Sequence, residues 1–224
     1  DRHRGDIKEI PSLTHFAAYI MLFPQLVAGP ILRYRDVAVS LRALEEFQLD
    51  KKHASRAVGY ICVGLGVKVL IADTLSHYLA GYGNDPGGLS QLSAVYTIFA
   101  YSFQIYFDFY GYSLIAIGLG ALFGFAFPQN FNRPYAALNP RDFWRRWHIT
   151  LSLWIRDYLY IPLGGNRSYL RNIFIVMAIC GLWHGAGWSF VVWGLYHGCL
   201  VVGYRYTQVA WDCMPAILQR GTTF

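Results

Sequence analysis

LSAVYTIFAYSFQIYFDFYGYSLIAIGLGALFGFAF, residues 92–127, carries a single formal charge, Asp108, in thirty-six residues. A helix needs about 20 apolar residues to cross the hydrocarbon core of a bilayer, so this stretch exceeds one straight span. With Gly111 near its middle, it predicts a strongly tilted helix or a broken pair. Upstream, Ala57–Gly81 is a second apolar stretch, which holds Lys68 and Asp73. Thr14–Leu32 is an uncharged third, interrupted by Pro24 and Gly29-Pro30. Downstream, Asn172–Tyr206 is a fourth, with Arg205 as its only formal charge and Gly181, Gly185 and Gly187 near its centre. That last pattern predicts two helices, or one broken at the glycines.

The polar remainder fits the same class. Of 224 residues, 55% are hydrophobic and only 14% charged, against about 25% charged in soluble domains. The expected fold is all-α and polytopic, as a multi-pass transmembrane protein. The net charge is +6, but the basic residues lie in loops, and no separate basic domain exists to hold a nucleic acid. Loops 33–56 and 128–171 are basic, whereas the Gly/Pro-rich loop 81–91 has no basic residue and residues 1–13 balance their charges. The positive-inside rule then puts 33–56 and 128–171 in the cytoplasm, 81–91 outside, and Gly185–Gly187 deep in or beyond the membrane. Cys62, Cys180, Cys199 and Cys213 form no CxxC pair, and the first three read as small buried hydrophobes. The chain opens on Asp1 with no signal-peptide pattern, so it reads as an excerpt, a single transmembrane domain over 1–224 lacking helices on both sides.

The loop 128–171 holds seven arginines and no lysine. Asn139, Pro140 and Asp142 form a helix start resembling a capping box, and Pro162 with Gly164-Gly165 form a stop. In between, Trp144, Trp147, His148, Leu151, Ile155 and Tyr158 follow helical spacing. The expectation is one amphipathic helix at or dipping into the membrane, with these residues on one face and Arg145, Arg146 and Arg156 off it. The arginines suit anchoring on anionic lipid; they suit equally the phosphates of a coenzyme A or phosphopantetheine donor. His148 is either a packing histidine or a functional one.

GLWHGAGW, residues 181–188, sets His184 among tryptophan, leucine and glycine with no charged neighbour. An ionisable group at membrane depth is a functional candidate by default, and a neutral imidazole there suits a general base. It would take the proton from a hydroxyl attacking a thioester. A structural histidine bonded to a neighbouring helix is the alternative. His197, 13 residues on, would face away from His184 on an unbroken helix and reads as structural or supporting. Asp108, sharing a helical face with Gln104, suits structural pairing, or the orientation of a catalytic histidine. A metal site is not expected: His148, His184 and His197 lack local ligand spacing and an acidic neighbour.

Five blocks together carry a resemblance: FPQLVAGPILRYRDV (23–37), GLGVKVLIADTL (64–75), YFDFYGYSLIAIGLG (106–120), NFNRPYAALNPRDFWRRWHITLSLWIRDYLYIPLGGNR (130–167) and GLWHGAGWSFVVWGLYHG (181–198). They resemble the membrane-bound O-acyltransferases, above all the bacterial polysaccharide branch that includes the membrane subunit of alginate O-acetylation and is related to the D-alanyl transfer protein of teichoic acids. The resemblance implies a ring of helices, some broken or re-entrant, around a thin central tunnel. It implies His184 as the catalytic histidine and His148 as the second, on the cytoplasmic side. Arg145, Arg146 and Trp147 would then lie near the donor, with Asp108, Trp183 and His197 in support.

It further implies a bacterial inner-membrane enzyme that binds no cofactor and draws on acetyl-CoA, or an acyl-carrier thioester, from the cytoplasm. The acetyl group would pass to hydroxyls of an exported alginate- or cellulose-like polysaccharide, directly or through an extracytoplasmic partner protein. Transfer of D-alanyl or another acyl group to a cell-envelope polymer stays open. So do two different classes, a proton-coupled transporter or export channel and a non-catalytic scaffold. A transporter built from repeats should show similarity between its halves, and none is visible here.

Overall fold

The computed structural model describes residues 11–26, 29–44, 46–82 and 90–223, and among these every regular element is helical. The charge balance of residues 1–10 and most of the loop 81–91 lie outside the described residues. The chain forms two compact units that part between Gln129 and Asn130.

The first unit begins with three short helices, α1 (Leu13–Ile20), α2 (Phe23–Leu26) and α3 (Tyr34–Arg42). The uncharged segment 14–32 is thus no single span. Tyr19 donates its hydroxyl to the Leu32 carbonyl at 2.8 Å. Around that bond Leu32, Tyr34, Val37 and Leu41 pack with Ile117, Phe125 and Phe127 into a buried cluster. Two long helical stretches follow. Lys51–Ala80 consists of α4 (Lys51–Gly66), a wide π turn at Val67–Ala72 and α5 (Asp73–Ala80). The other is α6 (Gln91–Leu122). Both are long and apolar enough to cross a membrane.

α6 does not break at Gly111. It is continuous for 32 residues, about 48 Å at 1.5 Å per residue. Gly111 serves close approach instead: a Cβ there would lie 2.9 Å from the Gly64 carbonyl oxygen, and one on Gly64 would lie 2.8 Å from that of Gly111. The same antiparallel register sets Gly118 against Ala57. Next to this contact, Lys68 on the π turn pairs with Asp73 and, at 3.0 Å, with Asp108. The pairing reading of Asp108 is therefore met by a lysine from the neighbouring helix.

The second unit starts with a strap, residues 130–137, that holds one 3-10 turn at Pro134–Ala136, then α7 (Pro140–Arg146) and α8 (Ile149–Ile155). The expected start is present: the Asn139 side chain accepts the Asp142 N–H at 2.7 Å, with Pro140 at the first helical position. The expected continuous helix to Ile161 is not. It breaks at Trp147–His148, and α8 continues as a π turn over Arg156–Tyr160. After a 3-10 turn at Gly165–Ser168 come α9 (Tyr169–His184), α10 (Trp188–Asp212) and α11 (Ala216–Thr223).

The break between α9 and α10 falls at Gly185–Gly187, as the glycines predict. The two helices fold back on each other with Gly181 under Phe190, Gly194 under Met177 and Gly198 under Phe174. A Cβ on Gly181 or Gly194 would collide with backbone carbonyl oxygens of the partner helix. Asn172, fully buried, steadies the entry to this hairpin by donating to the carbonyls of Leu163 (3.0 Å) and Gly165 (2.9 Å).

Candidate active site

His148 occupies the break between α7 and α8. Its backbone is left-handed, with φ 41° and ψ 55°. Histidine enters this region more readily than most residues, yet a non-glycine residue there still costs about 1–2 kcal/mol. In a continuous helix the Ile149 and Thr150 N–H groups would bond the carbonyls of Arg145 and Arg146. Here the strap takes both donors. Ile149 N–H goes to the Asn130 carbonyl at 2.9 Å, and Thr150 N–H to Asn130 Oδ1 at 3.3 Å. The Arg146 carbonyl in turn accepts the Asn132 N–H at 2.9 Å. These competing partners are why the expected single helix is two.

The break sends the expected stripe in three directions. Trp147 stacks on Phe143 at 5.6 Å and meets Phe131 edge-on at 5.2 Å. Trp144 faces Trp193 at 5.9 Å and His197 at 5.1 Å. His148, only 3% exposed, lies 6.1 Å from the Trp183 ring.

His184 ends α9 and is exposed. Its ring meets Trp183 at 5.0 Å and Trp193 at 5.2 Å, both edge-on. Trp193 then meets His197 at 4.8 Å. An unbroken helix would have turned His197 away from His184; the hairpin brings both onto Trp193. Three histidines from three elements thus converge on one pair of tryptophans. Trp193 was missed in the sequence, although its spacing of four residues from His197 within one apolar run signals a shared face. Among the described residues no group of three or more His, Cys, Asp or Glu side chains is placed to hold a metal ion.

Trp144, which touches Trp193 and His197, also lines a cavity of about 410 Å³ together with Arg141, Arg145 and Arg156 and with Ile173, Val176, Met177 and Cys180 of α9; none of the three histidines lines it. These α9 positions form one helical stripe, and His184 is its next turn. Of the three expected donor-side residues, Arg145 lines the cavity. Arg146 is committed to Asp142 (Nε to Oδ1, 2.9 Å), and Trp147 belongs to the aromatic packing of the strap. Arg141 was not singled out in the sequence, and Arg156 was placed there only among the arginines off the apolar stripe; both line the cavity with Arg145. Trp183, 59% exposed, meets the rings of both His148 and His184. Asp108 belongs to the first unit, where its partner is Lys68.

The chain is similar over most of its length to several known proteins. The chain is 46% identical, over 95% of its length, to the peptidoglycan O-acetyltransferase of Helicobacter pylori, of which it covers 42%. It is 44% identical over 98% of its length to the probable alginate O-acetylase AlgI of Azotobacter vinelandii, covering 44% of it. A more distant relative is the teichoic acid D-alanyltransferase of Bacillus subtilis, 30% identical over 91% of this chain and matched over 54% of its own length. The chain therefore spans about half the length, or less, of these relatives. The sequence profile of the membrane-bound O-acyltransferase (MBOAT) family matches residues 4–213. With a profile match over nearly its whole length, the chain belongs to the membrane-bound O-acyltransferase family.

Proposed function

We propose that the full-length protein moves an acetyl group from a cytoplasmic thioester to hydroxyls of an exported polysaccharide. The observation that carries this reading is the meeting of His148, His184 and His197 on Trp183 and Trp193 beside an arginine-lined cavity. A general base must be reachable by the hydroxyl it deprotonates, and His184 is exposed at the end of its helix. His184 removes the acceptor proton as the oxygen attacks the thioester carbonyl. His148, buried and held in a strained turn, acts from the donor side. Arg141 and Arg145 offer planar donors for phosphate oxygens, Arg156 is held through its Nε by Asp157 at 2.6 Å, and the apolar α9 wall suits the donor's thioester arm. The donor is acetyl-CoA or an acyl-carrier thioester.

In this reading the described helices form part of a ring in the bacterial inner membrane, and an extracytoplasmic partner protein takes part in transfer to the polymer. The acceptor class is drawn from relatives named as a peptidoglycan O-acetyltransferase and a probable alginate O-acetylase. D-alanyl transfer is the second reading, favoured by the more distant relative. Mass spectrometry of exported polysaccharide separates the two, because acetyl and alanyl esters differ in mass. His184→Ala should abolish acylation while the protein still inserts in the membrane; unchanged acylation would overturn the assignment.

A further inference from the structure

Helix α8 starts without a cap from the residue that ordinarily supplies one. At a helix N-terminus the flanking residue usually turns a side-chain oxygen onto the N–H of the second or third helical residue. Here that flanking residue is His148, and its side chain makes no capping bond. Asn130, in the strap, does the work instead. Its carbonyl accepts the Ile149 N–H at 2.9 Å, and its Oδ1 accepts the Thr150 N–H at 3.3 Å and the Thr150 hydroxyl at 2.9 Å. Asn130 is 1% exposed and Thr150 4%, so water does not compete for these bonds. The neighbouring strap residues grip the other side of the turn. Asn132 N–H bonds the Arg146 carbonyl at 2.9 Å, and Phe131 packs edge-on against Trp147.

We propose that Asn130 is a positioning residue for His148, capping α8 in its place and fixing the left-handed turn that faces the imidazole toward Trp183 and His184. The proposal rests on the reading of His148 as a catalytic group. A strained conformation persists only where its surroundings over-determine it. Without Oδ1, two buried donors lose their acceptor. The nearest relief is for the Thr150 N–H to bond the Arg146 carbonyl, which joins α7 and α8 into one helix. That rearrangement removes the left-handed turn and carries the imidazole away from Trp183. Asn130 therefore selects between a broken and a continuous helix, and only the broken one presents His148.

The test uses the full-length protein in proteoliposomes, with acetyl-CoA as the donor, an unacetylated alginate oligosaccharide as the hydroxyl acceptor, and release of free thiol as the readout. Asn130→Ala should lower kcat about tenfold or more and leave the KM for acetyl-CoA nearly unchanged. Thr150→Val, which removes one of the two Oδ1 contacts, should give a smaller loss. Asn130→Asp keeps the acceptor and should restore most of the rate. Carbethoxylation of His148 by diethyl pyrocarbonate, mapped by peptide mass spectrometry, should rise in Asn130→Ala and return to the wild-type level in Asn130→Asp. Wild-type kcat in Asn130→Ala, or a loss only in proportion to inserted protein, overturns the proposal. Should Asn130→Ala not insert, wild-type kcat and His148 labelling in Thr150→Val overturn it. The premise is read separately: full turnover in His148→Ala removes the catalytic reading, whereas an inactive His148→Ala beside an active Asn130→Ala removes only the positioning role.

Discussion

Burial pushes the His148 imidazole down to about 3, and the His184 ring adds to the effect. In the folded protein His148 is therefore neutral across the physiological range, whereas an unfolded chain protonates it near the ordinary value of about 6.5. Below that value the unfolded state binds a proton that the native site refuses. Its contribution to stability is present above about pH 6.5 and is lost as the pH falls toward 3. The melting temperature in detergent should fall between pH 6.5 and 4, and His148→Gln should flatten that slope. An equal slope in both proteins would contradict the burial of a neutral ring. The sequence shows His148 as a chemically apt residue but hides its backbone. The apolar spacing from Trp144 to Tyr158 satisfies a helical pattern, and the groups that break it, Asn130 and Asn132, lie 19 and 14 residues upstream of their respective backbone partners, Ile149 and Arg146. Periodicity within a window cannot register a hydrogen bond from outside it.

Helices were legible where composition decides and misread where a glycine has two uses. The apolar run 92–127 announces α6, which ends at Leu122, and the three glycines at 181, 185 and 187 announce the hairpin. Gly111 looks like a hinge in isolation, yet it is a contact point that lets α4 approach α6. Two substitutions at the element scale separate these uses. Alanine is the better helix former by about 1 kcal/mol. At Gly203, where a Cβ meets nothing within 4 Å, Gly203→Ala should raise stability by about 0.4–1 kcal/mol. At Gly194 the added methyl collides with the Met177 carbonyl. Gly194→Ala should therefore lower stability by about 1–3 kcal/mol and reduce acyl transfer, because Trp193 and His197 move with that turn. Thermal melting of the two variants checks both signs, and a stabilised Gly194→Ala would contradict the close hairpin.

At the scale of the whole molecule, the arginine-rich and arginine-free loops make a claim about sidedness. In full-length protein cleared of native cysteines, Gly81→Cys should react with a membrane-impermeant maleimide from outside the cell. Ser168→Cys should react only once the cytoplasmic face is opened. Labelling of Gly81→Cys from the cytoplasm alone would reverse the orientation. The division between Gln129 and Asn130 has a further, optical consequence. All seven tryptophans of these 224 residues, from Trp144 to Trp211, lie after that boundary. Within this chain, indole emission reports on the unit that holds His148, His184 and His197 and is blind to the unit that holds the two long apolar helices, while far-ultraviolet circular dichroism sees both. Followed together through heating, the two signals would coincide if the units melt as one cooperative body and separate if each melts alone.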